Sequence, residues 1–391
     1  MSDITKPIVL DESYNRGAER IAEELHKIAL GVGGETSKPS SWEDIRTLCR
    51  KGKIKEVLEV GEVVNVKIDG KDVPFAVMDF IEDNRLGSLK IHNDALKTGV
   101  IFQSVDIVYN LQFDAQEAFY YAEQGLAAGT YNFVIPTTYN SWLAGTYSFT
   151  TTKDVPAGGQ LCFSGYANSA LTTLKVVSYS SATTTTAIES VVIAPGASGT
   201  PIGTLDGVSC NHPQRASYGN NRWRDSAIRQ QLNSTGAVGS VWTPQTKWDR
   251  PPNWLSNTGG FLAHVDHSLV DCIAKCDVDT HTNSVTDGNS IDTTEDYVFL
   301  ASRSECFLPA EGKDNGVAWA FYKDASQYES PNNGSDPARV KIGVNGSPHY
   351  WWQRSPHVSY AHYVRLVSTS GGDDSSGAYY SHGCAPAFII A

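Results

Sequence analysis

The stretch Trp351–Ala391, WWQRSPHVSYAHYVRLVSTSGGDDSSGAYYSHGCAPAFIIA, constrains this chain more than any other. It has two textures. Trp351, Trp352, Arg354, Pro356, Val364, Arg365, Val367, Pro386, Phe388, Ile389 and Ile390 read as framework. Between them run small polar and aromatic residues: His357–Tyr363, Ser368–Ser376 and Tyr379–His382. Val364–Val367 and Ala385–Ile390 have the pattern of short buried strands. The polar runs read as loops gathered on one face. Tyrosine brings rigid amphipathic contact area and Ser and Gly adapt around it, so the mixture suits a binding surface.

The same stretch is also marked by what it lacks. Lys, Glu, Gln, Met and Trp make up 56 of the 391 residues. A window as long as His357–Ala391 should therefore hold about five of them, and it holds none. These are the residue types that no codon ending in a pyrimidine encodes. Randomising the adenines of AAC or AAT codons would exclude all of them. A polar, Ser/Gly-rich pair of loops closing a β domain is the plainer account of the same residues.

The rest of the composition narrows the class. A chain of this length can hold two or three cores. The net charge of −12 argues against a nucleic-acid surface. No run approaches the roughly 18 apolar residues of a membrane span. The first residues, MSDITKPIVLDESYNRGAER, are polar and acidic, so no signal peptide and no membrane insertion are expected. The seven cysteines are odd in number and widely spaced, which suits reduced thiols in a protein made in a cytoplasm.

Four regions follow in order. Residues 1–55 read as a helical segment: Ile21, Leu25 and Ile28 recur at helical spacing within Glu12–Leu30, and Ser41-Trp42-Glu43-Asp44 opens a second helix with a capping-box look. Residues 56–113 turn to strands, with Asp69-Gly70 as a hairpin signal between Val63–Ile68 and Val73–Met78. Residues 114–206 are poor in charge and rich in Thr, Ser, Gly and Tyr, as in a small inserted β-sandwich. Residues 207–391 return to a mixed pattern. A helix is expected over Tyr218–Leu232, a second over Ser268–Cys276, and a strand over Asp296–Ser302. The fold class is α+β.

Chemistry-bearing patterns are few. His264, His267, Cys272, Cys276 and His281 form the one metal-like group, with the two cysteines four apart on the expected helix, but the spacing fits no common zinc pattern. No G-x-S-x-G, H-E-x-x-H or P-loop occurs. Asp373-Asp374 reads as a solvated loop pair rather than a cation site. Trp223, Trp242, Trp248, Trp254, Trp319, Trp351 and Trp352 could line a sugar groove or fill a core, and a loop-rich domain favours the core. Neither a cofactor, a metal nor a catalytic residue is expected.

The order YGNNRWRDSAIRQQLNS, GGFL, EDYVFLASRSE, WWQRSP and GCAPAFII resembles a domain-of-unknown-function family of gut bacteria and their phages. Gln353 stands where that family usually has Leu, and Gly383-Cys384-Ala385-Pro386 replaces the commoner Gly-Val-Arg-Pro. The resemblance covers Tyr218–Ala391 well and Val57–Leu111 weakly. It implies a C-type lectin-like fold of the formylglycine-generating-enzyme type, with residues 351–391 as a variable region. Several members are variable proteins of diversity-generating retroelements, and the phage tropism determinant is a relative in function. Carried onto this chain, the ligand-binding, variable positions are His357, Val358, Ser359, Tyr360, His362, Tyr363, Ser368, Thr369, Ser370, Asp373, Asp374, Ser375, Ser376, Tyr379, Tyr380, Ser381 and His382. The implied function is receptor binding by a non-enzymatic virion protein. Its partners would be a host-surface protein or glycan and other virion proteins, in a homo-oligomer if one forms. A structural virion protein is the alternative. A formylglycine-generating-type oxidase is a third reading, and it lacks its cysteine pair here because Cys384 stands alone in the terminal stretch. Glu-Pro-Asn and Gln-Pro-Asp, the marks of calcium-dependent sugar binding, are absent. Tyr360, His362, Tyr363, Asp373, Ser375, Tyr379, Tyr380 and His382 are expected to be mostly solvent-exposed on one surface, over a buried Trp351, Trp352, Val364, Val367, Phe388 and Ile389.

Overall fold

Asp69 and Gly70 both take positive φ, 51° and 73°, the geometry of a two-residue hairpin turn. Val63–Ile68 therefore folds straight back on Lys71–Ile81. This is the start of a computed structural model that describes residues 38–138, 144–163 and 199–391, with the backbone of Leu174–Ser181, Thr184–Val191 and Ala194–Pro195. The helix expected over Glu12–Leu30 lies outside the described residues.

The hairpin begins a central antiparallel sheet in the order Val63–Ile68, Lys71–Ile81, Gly99–Ser104, Ala387–Ile390, Val298–Phe299. The last strand of the chain thus has a neighbour on both sides, and its run AFII is buried throughout, as an apolar strand inside a sheet should be. The helix Trp42–Arg50 covers this sheet. Ser41 caps it by accepting from the Asp44 N–H, as the sequence anticipates. Its Trp42 ring stands edge-on to Phe102 at 5.7 Å.

A second five-stranded sheet runs Asp373–Gly377, Tyr363–Val367, Trp351–Pro356, Ser381–Cys384, Tyr109–Gln112. Its parallel contact joins Trp351 to Gly383. A side chain at Gly383 would press to 2.4 Å from Ile107, so close packing selects glycine there. A third sheet joins Ile291–Asp296, Cys276–His281, Leu89–Ile91 and Arg85–Leu86.

Residues between Tyr120 and Thr204 form two further four-stranded sheets. Residues of both, with Phe119 before them and Leu205 after, share a core of Phe133, Phe149, Tyr131 and Leu161, separate from the main hydrophobic cluster. The molecule is an α+β fold dominated by antiparallel sheets.

Three local expectations are corrected. Tyr218–Leu232 is not one helix. Helix Pro213–Tyr218 ends at Gly219, whose φ is 83°, and helix Ala227–Leu232 starts afresh from a Ser226 cap. Ser268–Cys276 is a single turn, His267–Val270, because Cys276 already belongs to a strand paired with Ile91 and Asp296. The polar run Ser368–Ser376 is not all loop: Asp373–Gly377 pairs residue by residue with Tyr363–Val367. In each case hydrogen bonds from distant segments override a weak local pattern.

Candidate ligand-binding face

The strand Trp351–Pro356 is buried at all six positions and supports the terminal segment. Trp351 donates its indole N–H to the Arg339 carbonyl (3.0 Å), and Trp352 to that of Leu111 (2.9 Å). Arg354 grips Glu305 through both nitrogens, at 2.5 and 2.6 Å, and Ser88 closes the network at 2.7 Å. Such a forked pair neutralises both charges where neither could stand alone. Val364, Val367, Phe388 and Ile389 are also fully buried, as expected. The tryptophans belong to this frame: Trp223, Trp242, Trp254 and Trp319 are buried with Trp351 and Trp352, and Trp248 is half-buried. They line no open sugar groove.

Over this frame the aromatic residues of the variable set converge. Tyr360 and Tyr363 lie 5.0 Å apart between ring centres, His357 and Tyr360 4.8 Å, and Tyr379 and Tyr380 4.4 Å. Tyr218 joins the two groups, stacking on His362 at 4.9 Å and meeting Tyr379 at 6.3 Å. Backbone ties hold the groups in place. Asn221 donates its Nδ2 to the carbonyls of Tyr360 (2.7 Å) and Tyr363 (2.9 Å). The N–H groups of Tyr379 and Ala378 donate to the carbonyls of Tyr218 and His362.

The expectation that this set is mostly exposed is corrected. Ser359, Thr369, Ser370, Asp374, Tyr380 and Ser381 are exposed, and Tyr360, Tyr363, Tyr379, His357 and His382 are half-buried, as are Val358, Ser368, Ser375 and Ser376. His362 is fully buried at 0 %. Its burial, with His212 and His357 nearby, lowers its pKa to about 3, so the ring is neutral. Neither ring nitrogen has a hydrogen-bond partner. The tyrosines pack on one another's rings, which is why they hide each other.

Asp373 is half-buried for a different reason: it accepts from Arg303 and from Arg365 (3.2 Å). Arg365 also donates to Glu311 at 2.6 Å, and Glu311 accepts the Val358 N–H and lies 3.3 Å from His357. Burial alone would raise the Glu311 pKa, but the hydrogen bond and charge of Arg365 outweigh it and hold it low. This charge row anchors one flank of the face. Neither Tyr218, Asn221 nor Glu311 is among the sequence candidates. Tyr218 and Asn221 do lie in the YGNNRW run, where paired asparagines beside a glycine signal a fixed polar turn.

The metal-like group does not assemble. His264 bonds Asp69 at 2.6 Å, His281 bonds the Pro356 carbonyl at 3.0 Å, and Cys276 is buried in its strand. Among the described residues no group of three or more His, Cys, Asp or Glu could hold a metal. Cys384 is fully buried, and burial raises its thiol pKa.

No curated protein and no solved structure matches the chain. Residues 202–391, from within the strand Thr200–Thr204 to the C-terminus, match the family described as Domain of unknown function (DUF6273).

Proposed function

We propose that the protein is a phage-encoded variable protein, carried on the virion, that displays residues 357–382 to a host-surface receptor. In this reading the main domain has a C-type lectin-like fold, and residues 114–206 are a β-sandwich set into it. The observation that supports it is the gathering of Tyr360, Tyr363, Tyr379, Tyr380 and Tyr218 into one partly exposed aromatic surface above a buried frame. Such a surface offers large contact area at small entropic cost, and its exposed positions can change without touching the core.

Sequencing the 3′ end of the gene across a population tests the reading. Variation should concentrate at the exposed and half-buried positions, above all Ser359, Tyr360, Thr369, Ser370, Asp374, Tyr380 and Ser381, and should spare Trp351–Pro356. Uniform variation, or an invariant segment, would sink it.

A further inference from the structure

The central sheet has an edge that is covered at one end and bare at the other. Ile68 pairs with Lys71 across the tight turn, so Ile68, Val66 and Val64 turn their backbone groups inward to the neighbouring strand. Lys67, Asn65 and Val63 turn theirs outward. The Lys67 carbonyl accepts the Asp266 N–H at 3.0 Å, and the Asp69 N–H donates to the His264 carbonyl at 2.9 Å. Asp266 then caps the helix His267–Val270, and the covering segment leaves the edge. The outward groups of Val63 and Asn65 have no partner among the described residues. Val63 is 54 % exposed.

Beside this bare edge lies a cleft of about 800 Å3. Trp42, Ile45, Leu58 and Val64 give it an apolar floor. Its cations are all engaged: Lys38 with Glu62 at 2.6 Å, Lys67 with Asp72 at 2.8 Å, and Arg46 with Glu43. Asp266 and Asp271 remain on the rim with no ion-pair partner among the described residues. The cleft therefore carries an excess of negative charge.

We propose that the Val63–Asn65 edge and its cleft form a docking site for an extended segment of a partner protein. The segment adds a strand through the outward groups of Val63 and Asn65. It sets alternate apolar side chains on the Trp42 floor and a Lys or Arg against Asp266 and Asp271. Strand addition to a free edge is a common mode of peptide recognition, and the charge excess selects a basic segment. Residues 1–37 carry seven Asp and Glu against four Lys and Arg, the wrong sign for this site.

A labelled octapeptide of alternating valine and lysine tests the site on the full chain, with a valine–glutamate octapeptide as control. Fluorescence anisotropy should show the lysine peptide binding at least about tenfold more tightly, as charge complementarity requires. Hydrogen exchange should slow at the amides of Val63 and Asn65 when it binds. Asn65→Pro removes an outward N–H that the fold does not use, so it should abolish binding with the melting temperature kept. Asp271→Lys, which leaves the lining with as many cations as acids, should erase the preference between the two peptides. Binding without slowed exchange at Val63 and Asn65 would overturn the proposal. So would amides already protected in the peptide-free chain: protection independent of concentration means the chain covers its own edge, and protection growing with concentration means a second copy does.

Discussion

Two places in the molecule bury charge next to the tyrosine face, and they do so in opposite ways. Under the face, Arg354 meets Glu305 in a matched fork, and the Ser88 hydroxyl (2.5 Å) and the Ser302 N–H (2.7 Å) each add a second hydrogen bond to one of the same two oxygens. At the junction where the chain leaves strand Tyr109–Gln112 for the two four-stranded sheets of Tyr120–Thr204, acids outnumber their partners. Asp114 and Glu117 are both buried. Burial first, then the neighbouring Asp249, Glu117 and Asp225, raises the Asp114 pKa well above the usual carboxylate range. Burial likewise lifts Glu117 to about 7, with Asp249 adding to it and Arg215 and Asn211 opposing. Oxygen Oε1 of Glu117 has no hydrogen-bond partner. The matched pair makes a floor whose charges neutralise each other. The unmatched cluster keeps protons that a change of pH can remove, beside the turn that carries Tyr379, since the Asp114 N–H donates to the Ala378 carbonyl.

The largest effect should come from breaking the matched pair. Arg354→Met leaves Glu305 buried without its cation, at a cost of about 3–5 kcal/mol. Urea denaturation should show that loss. Adding Glu305→Leu to it should recover most of the stability, because a buried pair and an apolar replacement differ little. If Arg354→Met proves harmless, the fork is not what holds the floor.

Two buried groups beside the face, Glu117 in the acid cluster and His362 under the tyrosines, should answer pH with opposite signs. The folded pKa of Glu117 is raised from 4.5 to about 7. Its contribution is therefore complete below about 4.5 and is lost as pH rises through about 7. The folded pKa of His362 is lowered from 6.5 to about 3. Its contribution is complete above about 6.5 and is lost as pH falls toward about 3. Melting temperatures between pH 4 and 8, an interval set by these values, should show Glu117→Gln flattening the neutral limb and His362→Leu flattening the acid limb. Exchange of the two phenotypes would mean that the buried protons have been assigned to the wrong groups.

The sequence made the frame legible and hid the face. Apolar runs such as AFII and the Asp69-Gly70 turn carry their structure locally, and Ser41 announces its helix. The charge-poor stretch contributes most of a second hydrophobic core, which also takes in Cys210 and Ala216 beyond it. What could not be read depends on distant partners. Nothing near Asp373–Gly377 says strand, because its hydrogen bonds go to Tyr363–Val367. Nothing near His362 says buried, because Tyr218, far away in the chain, covers it. Glu117 looks like any surface glutamate until Asn211 closes over it. Polar residues in a loop-rich segment signal exposure only when no remote element folds onto them.

The smallest effect should come from the most exposed tyrosine of the face, and it is the sharpest test of that face. Tyr380 is 37 % exposed, meets Tyr379 at 4.4 Å, and sits in a turn whose backbone is held by the N–H of Tyr380 itself donating to Gly377. Tyr380→Ser removes a half-exposed ring and its hydroxyl's hydrogen bond with Tyr379, both at the surface, so its stability cost should stay within about 0.5 kcal/mol. Tyr363→Ser should cost more, since the Tyr363 ring lies 4.0 Å from the buried His362 ring and 5.0 Å from Tyr360. Differential scanning fluorimetry of the two variants measures the gradient directly. A display surface needs that gradient: positions at its crest must be free to change while those at its base are not. Equal and large losses at both positions would make the whole aromatic cluster part of the core. Receptor binding would then have to be sought among Ser359, Thr369, Ser370 and Asp374 instead.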